Sequence, residues 1–143
     1  MTVKEYLKQF GDLYKEIKPK QEQLQKLNAV RMPASIPTKT QASHDLDAAF
    51  VVLEDQYAED IKRLLQLRHD IQLIINSLDN STWRIVLTEK YINLKQPDDI
   101  ATEIPCDVRT VYRWLNDAII ALQAKHPELF EPANANEAVT LED

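Results

Sequence analysis

Apolar residues recur along this chain at helical intervals, and their rhythm separates a long two-helix half from a more compact second half. Val3, Tyr6, Leu7, Phe10, Leu13, Tyr14 and Ile17 fall on one stripe at three- and four-residue steps, which predicts an amphipathic helix. Pro19 interrupts that run, after which Leu24, Leu27 and Val30 resume the same seven-residue phase. The stretch from Arg31 to Ser43 is polar, carries two prolines and predicts an irregular, mobile connector. From about His44 the rhythm returns. Phe50, Leu53, Tyr57, Leu64, Leu67, Ile71, Ile74 and Leu78 hold a/d heptad spacing, broken once by Asp60. Two such helices joined by a loop predict a coiled-coil-like antiparallel hairpin over residues 1–78. Because two helices bury little on their own, a second copy completing a four-helix bundle makes a homodimer the expected assembly.

Asp79-Asn80-Ser81 marks the boundary, with Ser81 a suitable helix cap. A module over residues 79–126 follows. Trp83, Val86, Leu87, Tyr91, Ile92 and Leu94 predict one amphipathic helix from Ser81 to Leu94. A second, Pro97 to Ile104, begins with proline where a missing N–H costs nothing and continues with Asp98 and Asp99, favoured by the helix dipole. Pro105 biases Ile104 out of helical geometry and ends it. Asp107 can then cap a third helix, Val108 to Gln123. Ile100, Ala101, Ile104, Cys106, Val111 and Trp114 supply the apolar set that two crossed helices must bury. Arg109, Thr110, Tyr112 and Arg113 are left for solvent. Short helix, tight turn, longer helix, with bidentate donors near the start of the second: this is the layout of a helix-turn-helix that reads the major groove.

Tyr91-Ile92, Leu94, Ile100-Ala101 and Arg109-Thr110-Val111-Tyr112-Arg113 together resemble region four of bacterial sigma factors. Within that superfamily the chain is similar to the ArpU/RinA-type late-gene regulators of phages that infect Gram-positive bacteria, up to about Lys125. Two positions depart from the pattern: Pro105-Cys106 replaces the usual Gly before a hydrophobic residue, and Val108 replaces a polar residue at the start of the reading helix. The resemblance implies an all-α, sequence-specific, DNA-binding transcriptional regulator acting in the cytoplasm of a bacterial host. Double-stranded DNA would be its partner and host RNA polymerase a second one. The expected DNA-contacting residues are Val108, Arg109, Thr110, Tyr112, Arg113, Lys95 and Gln96. A helical interaction protein that contacts polymerase or another protein without reading bases is the alternative.

Composition narrows the chemistry. With 143 residues, one Gly, seven Pro and 44% hydrophobic residues, the chain suits a small all-helical protein. The single Cys106 excludes an internal disulfide and any Cys-based metal spacing. His44, His69 and His126 are scattered, and a lone Gly11 cannot build a phosphate loop. No enzyme, metal or cofactor is therefore expected. Nor is a signal peptide or a membrane span, since no apolar run approaches the necessary length. The net charge of −6 weighs against bulk attraction to nucleic acid. Residues 1–78 are balanced and residues 79–126 nearly so; the tail 127–143 carries acids and no base, and is expected to be disordered. Arg84, Lys90, Lys95, Arg109 and Arg113 are the cations available to the DNA-reading module.

Overall fold

A computed structural model of the protein describes residues 1–30 and 41–132. The expected all-α class holds: among the described residues there are helices and turns and no strand. Helix α1 spans Val3–Val30 and packs against α2, Gln41–Asn76. Three shorter helices follow, α3 (Ser81–Leu87), α4 (Pro97–Glu103) and α5 (Val108–Lys125), with a π-helical stretch, Thr88–Ile92, directly after α3. Two expectations for the first half need correction. Pro19 lies inside α1 and does not end it. Proline removes the bond to the carbonyl four residues earlier and costs a helix interior about 3 kcal/mol, but the apolar stripe keeps one phase across it, so packing on either side holds the helix together. The connector is also shorter than expected, since Gln41, Ala42 and Ser43 already belong to α2; the rest of it, residues 31–40, lies outside the described residues. So do residues 133–143 of the tail.

The chain divides into two compact units. One, Asp12–Gln66, includes the body of α1 and the first two-thirds of α2. Ile17, Phe50 and Leu64 are its buried side chains, flanked by half-buried Leu13, Leu24, Leu27, Leu53, Tyr57 and Ile61. The heptad break now has a reason. The Asp60 carboxylate takes the Lys20 Nζ of α1 at 2.5 Å and the Arg63 guanidinium at 3.6 Å, so a charge stands in the seam where its partner faces it.

The other unit comprises Met1–Gly11 and the chain from Leu67 onward. Its core draws Val3, Leu7 and Phe10 from α1 and Ile71 and Ile75 from α2, with Leu78 just beyond. Val86, Leu87, Tyr91, Ile100, Val111, Leu115, Ala118, Ile119 and Leu122 complete it from the short helices. Beyond α5 the chain turns at His126 and returns. Phe130 is buried with its ring 5.4 Å from that of Tyr6, Gln123 Nε2 donates to the Phe130 carbonyl, and the Glu131 N–H donates to the Met1 carbonyl at 3.0 Å.

Candidate functional site

The α4–turn–α5 element forms for the local reasons its residues supply. Pro97 opens α4, and Gln96 before it is extended, its carbonyl accepting from Asp99 and Ile100. Ile104 leaves the helical region at φ −105°, ψ 95°, the conformation that Pro105 favours in the residue before it. Asp107 caps α5, its carboxylate accepting the Arg109 N–H at 3.3 Å and its carbonyl the Thr110 N–H at 2.9 Å. The Cys106 N–H closes the turn onto the Ala101 carbonyl. Proline at this turn in place of glycine is therefore accommodated without any left-handed residue between Ile104 and Asp107.

The core of the helix pair is narrower than the expected apolar set. Ile100 and Val111 are fully buried, whereas Ala101, Ile104, Cys106 and Trp114 are only half-buried. Leu115, which that set omitted, is fully enclosed. Residues 111, 115, 118 and 122 follow the three- and four-residue steps of one helical stripe, and Trp114 falls at its margin.

Before the pair, α3 is capped by Asn80 rather than by Ser81, the Asn80 side chain accepting the Trp83 N–H at 3.1 Å. The expected single helix to Leu94 is not regular. It passes after Leu87 into the π-helical stretch, with the Asn93 N–H reaching back to the Thr88 carbonyl and that of Lys95 to the Glu89 carbonyl. Leu94 then takes φ 58°, the left-handed region that glycine ordinarily fills. The chain's only glycine, Gly11, lies against it: a Cβ there would meet Leu94 Cδ2 at 3.0 Å.

This bend aims Lys95 back at its own fold. Its Nζ sits 2.6 Å from Glu89 Oε2 and 2.7 Å from Glu103 Oε2, while Asn93 Nδ2 donates to Glu89 Oε1 at 2.9 Å. The hydrogen bond from Lys95, together with that from Asn93 and against partial burial, holds the Glu89 carboxyl below the usual carboxylate range. Glu103 and Glu89 in turn raise the Lys95 ammonium above its ordinary value. The cluster fastens the π-helical turn to the end of α4.

The cations of the module are thus divided. Lys95 is held between two carboxylates. Arg84 is half-buried and donates to the Leu78 carbonyl at 2.5 Å, and Lys90 lies 5.6 Å from the centre of the Tyr91 ring. Lys125 points at the Ser77 carbonyl and Asp79. Arg109 and Arg113 remain: both are exposed, and neither guanidinium meets an internal acceptor among the described residues. They stand one turn apart on the face of α5 turned from the core. Of the other expected contacts, Val108, Thr110 and Tyr112 are half-buried beside them and Gln96 is exposed at the start of α4. The same face continues to half-buried Asn116 and to Ile120, which is 67% exposed.

Elsewhere in this unit an open groove of about 350 Å³ is lined by Asn76, Ser81, Arg84, Ile85, Thr88 and Glu89. Most of its polar groups are already used: Arg84 and Glu89 as described, and Asn76 and Thr88 as acceptors for Gln72 Nε2 at 3.1 and 3.2 Å. Among the described residues no three His, Cys, Asp or Glu converge as metal ligands, and no helix is long and apolar enough to cross a membrane.

The family model for DUF1492, described as proteins of unknown function, matches residues 36–123. The chain belongs to this family. The span shared with DUF1492 contains α2 and the short helices through Gln123, so Arg109, Arg113 and Asn116 fall within it, whereas α1 lies outside. No curated protein and no solved structure matches this DUF1492 chain.

Proposed function

We propose that this DUF1492 protein is a sequence-specific, double-stranded-DNA-binding transcriptional regulator of the ArpU/RinA phage type that presents α5 to the major groove. The carrying observation is the pair Arg109 and Arg113, exposed one turn apart near the start of a capped helix and without an internal acceptor among the described residues. Arginine in that position can donate two parallel hydrogen bonds to guanine O6 and N7. Thr110 and the backbone at the start of α5 suit phosphate, through a hydroxyl and through the helix dipole. Gln96, exposed at the start of α4, is placed to add a phosphate contact.

A second reading is favoured by charge. The net charge is −6, and Arg84, Lys90, Lys95 and Lys125 all have partners within the fold, leaving little to neutralise phosphates. A protein surface on host RNA polymerase, met by Arg113 and the exposed Ile120, would need no such neutralisation. Selection from a pool of randomised duplexes, followed by fluorescence-anisotropy titration of the enriched and a scrambled duplex, separates the two. Enrichment of one sequence with tighter binding to it supports base readout. Equal, weak binding to every duplex refutes it and leaves the protein-contact reading.

A further inference from the structure

Helix α2 carries a second seam that its packing against α1 does not use. The buried seam runs through Phe50, Leu53, Tyr57 and Leu64. On the opposite side Ala48, Val51, Asp55, Ala58, Lys62 and Leu65 also recur at alternating steps of three and four, and all six are exposed. Val51 is 50% and Leu65 49% accessible, with Val52 beside them at 58%. A heptad-spaced apolar line on one helix is the pattern that seats another helix.

The arrangement of residues along this seam specifies what would cover it. Ala58 lies at its centre, with Val51 seven residues before it and Leu65 seven after. Glu54 stands four residues before Ala58 and Lys62 four after; Asp55 and Arg63 flank them in the same order. About Ala58, Val51 and Leu65 are therefore apolar-symmetric and Glu54 and Lys62 charge-antisymmetric. Laid against a second α2 running the opposite way, with Ala58 near the two-fold axis, the seam sets Val51 over Leu65 and Glu54 over Lys62 of the other copy, with Asp55 one residue's rise from the same lysine. The small side chain at the axis lets the two backbones approach closely. A parallel pairing in register would instead stack acid on acid and base on base, which is destabilising. Lys62 already contacts Glu59 at 3.3 Å and Arg63 contacts Asp60 at 3.6 Å. The Lys62–Glu59 pair is exposed on both sides and of the kind that contributes little and exchanges readily.

We infer that a second copy of this chain docks on the outer face of α2, antiparallel, with Ala58 at the two-fold axis and Asp55 facing Lys62 of the other copy. This goes beyond the base-reading role of α5 and does not depend on it.

Charge reversal tests the inference on the full chain by light scattering at tens of micromolar, with circular dichroism confirming unchanged helicity at these exposed sites. The unaltered protein is expected at the mass of two chains. D55K alone and K62D alone should each shift it to the mass of one, and the double exchange D55K/K62D should restore two. Single-cysteine variants fix the direction, with Cys106 replaced by Ala: under mild oxidation A58C should cross-link to itself and V51C should not, while V51C mixed with L65C should. A monomer for the unaltered protein, a dimer indifferent to both single reversals, or self-cross-linking of V51C would each overturn the proposal. None of these outcomes bears on whether α5 discriminates between DNA sequences, so the two ideas fail separately.

Discussion

The contact between Gly11 and Leu94 makes an unusual stability prediction, because two ordinary rules oppose each other there. Replacing glycine by alanine inside a helix stabilises by about 1 kcal/mol, through propensity and reduced unfolded-state entropy. At Gly11 the new methyl would lie 3.0 Å from Leu94 Cδ2, so the leucine must give way by a few tenths of an ångström. Leu94 is half-buried, so its Cδ2 must move against packed neighbours, and its backbone already sits in the left-handed region at a cost of about 1–2 kcal/mol for a residue with a Cβ. Gly11→Ala in the unaltered protein should therefore gain nothing or lose stability. Leu94→Ala removes the obstructing carbons. It should cost about 2 kcal/mol, the lower end of the range for leucine truncation, because Leu94 is half-buried. In that background Gly11→Ala should recover its ordinary gain of about 1 kcal/mol, a coupling well within what neighbouring residues show. Urea denaturation followed by tryptophan fluorescence reads the relevant unit, since Trp83 and Trp114 both lie in it. Leu94→Gly adds a second arm. It loses the same packing as Leu94→Ala but relieves the left-handed strain, so it should equal or exceed the alanine variant in stability, the reverse of the usual helix order. If Gly11→Ala has the same effect with and without Leu94, and glycine at 94 is worse than alanine, the reasoning fails.

Four further outcomes are expected. Arg109→Ala or Arg113→Ala should cost about 1–3 kcal/mol on a preferred duplex and less on random DNA, as read by anisotropy; equal losses on both would leave these residues touching phosphate only. With only two unpartnered cations in the module, both assigned to bases, the slope of log K against log salt should be no steeper than about −2 per chain, far shallower than for strongly basic DNA-binding proteins. Leu115→Ala should unfold the helix pair more completely than Trp114→Ala, because Leu115 is fully buried and Trp114 is not; thermal melts by circular dichroism compare them. Glu89 is held below its ordinary pKa in the fold, so its contribution is present above the unfolded-state pKa and lost as pH falls through the folded one; Glu89→Gln should flatten that acid limb of stability.

The helix boundaries around the tight turn were legible because prolines and a cap residue act locally. Pro97, Pro105 and Asp107 each do in the fold what they do in a short peptide. The irregular end of α3 was not. Tyr91, Ile92 and Leu94 continue an apolar rhythm without a break, and nothing in that rhythm reveals an extra residue in one turn. Two adjacent cap-forming residues, Asn80 and Ser81, likewise leave the start of α3 ambiguous by one position until its hydrogen bonds are known. Lys95 counts as an available cation in the sequence because Glu103 lies a full helix away; only the left-handed step at Leu94 brings them together. The outer seam of α2 was hidden for a different reason. The buried seam is richer in large residues, and a helix with two stripes shows the stronger one first.

The order in which the chain must be completed follows from the meeting of Tyr6 with Phe130 and of Met1 with Glu131. Val3, Leu7 and Phe10 are made well before the side chains they share a core with, which lie on segments from Leu67 to Phe130. Between the two lies Asp12–Gln66, whose helices pair across a shorter sequence distance than that between Tyr6 and Phe130. Local pairing is fast and long loops close slowly. A growing chain can thus pair these two helices early while Val3, Leu7 and Phe10 wait unenclosed until the segments from Leu67 to Phe130 have left the ribosome.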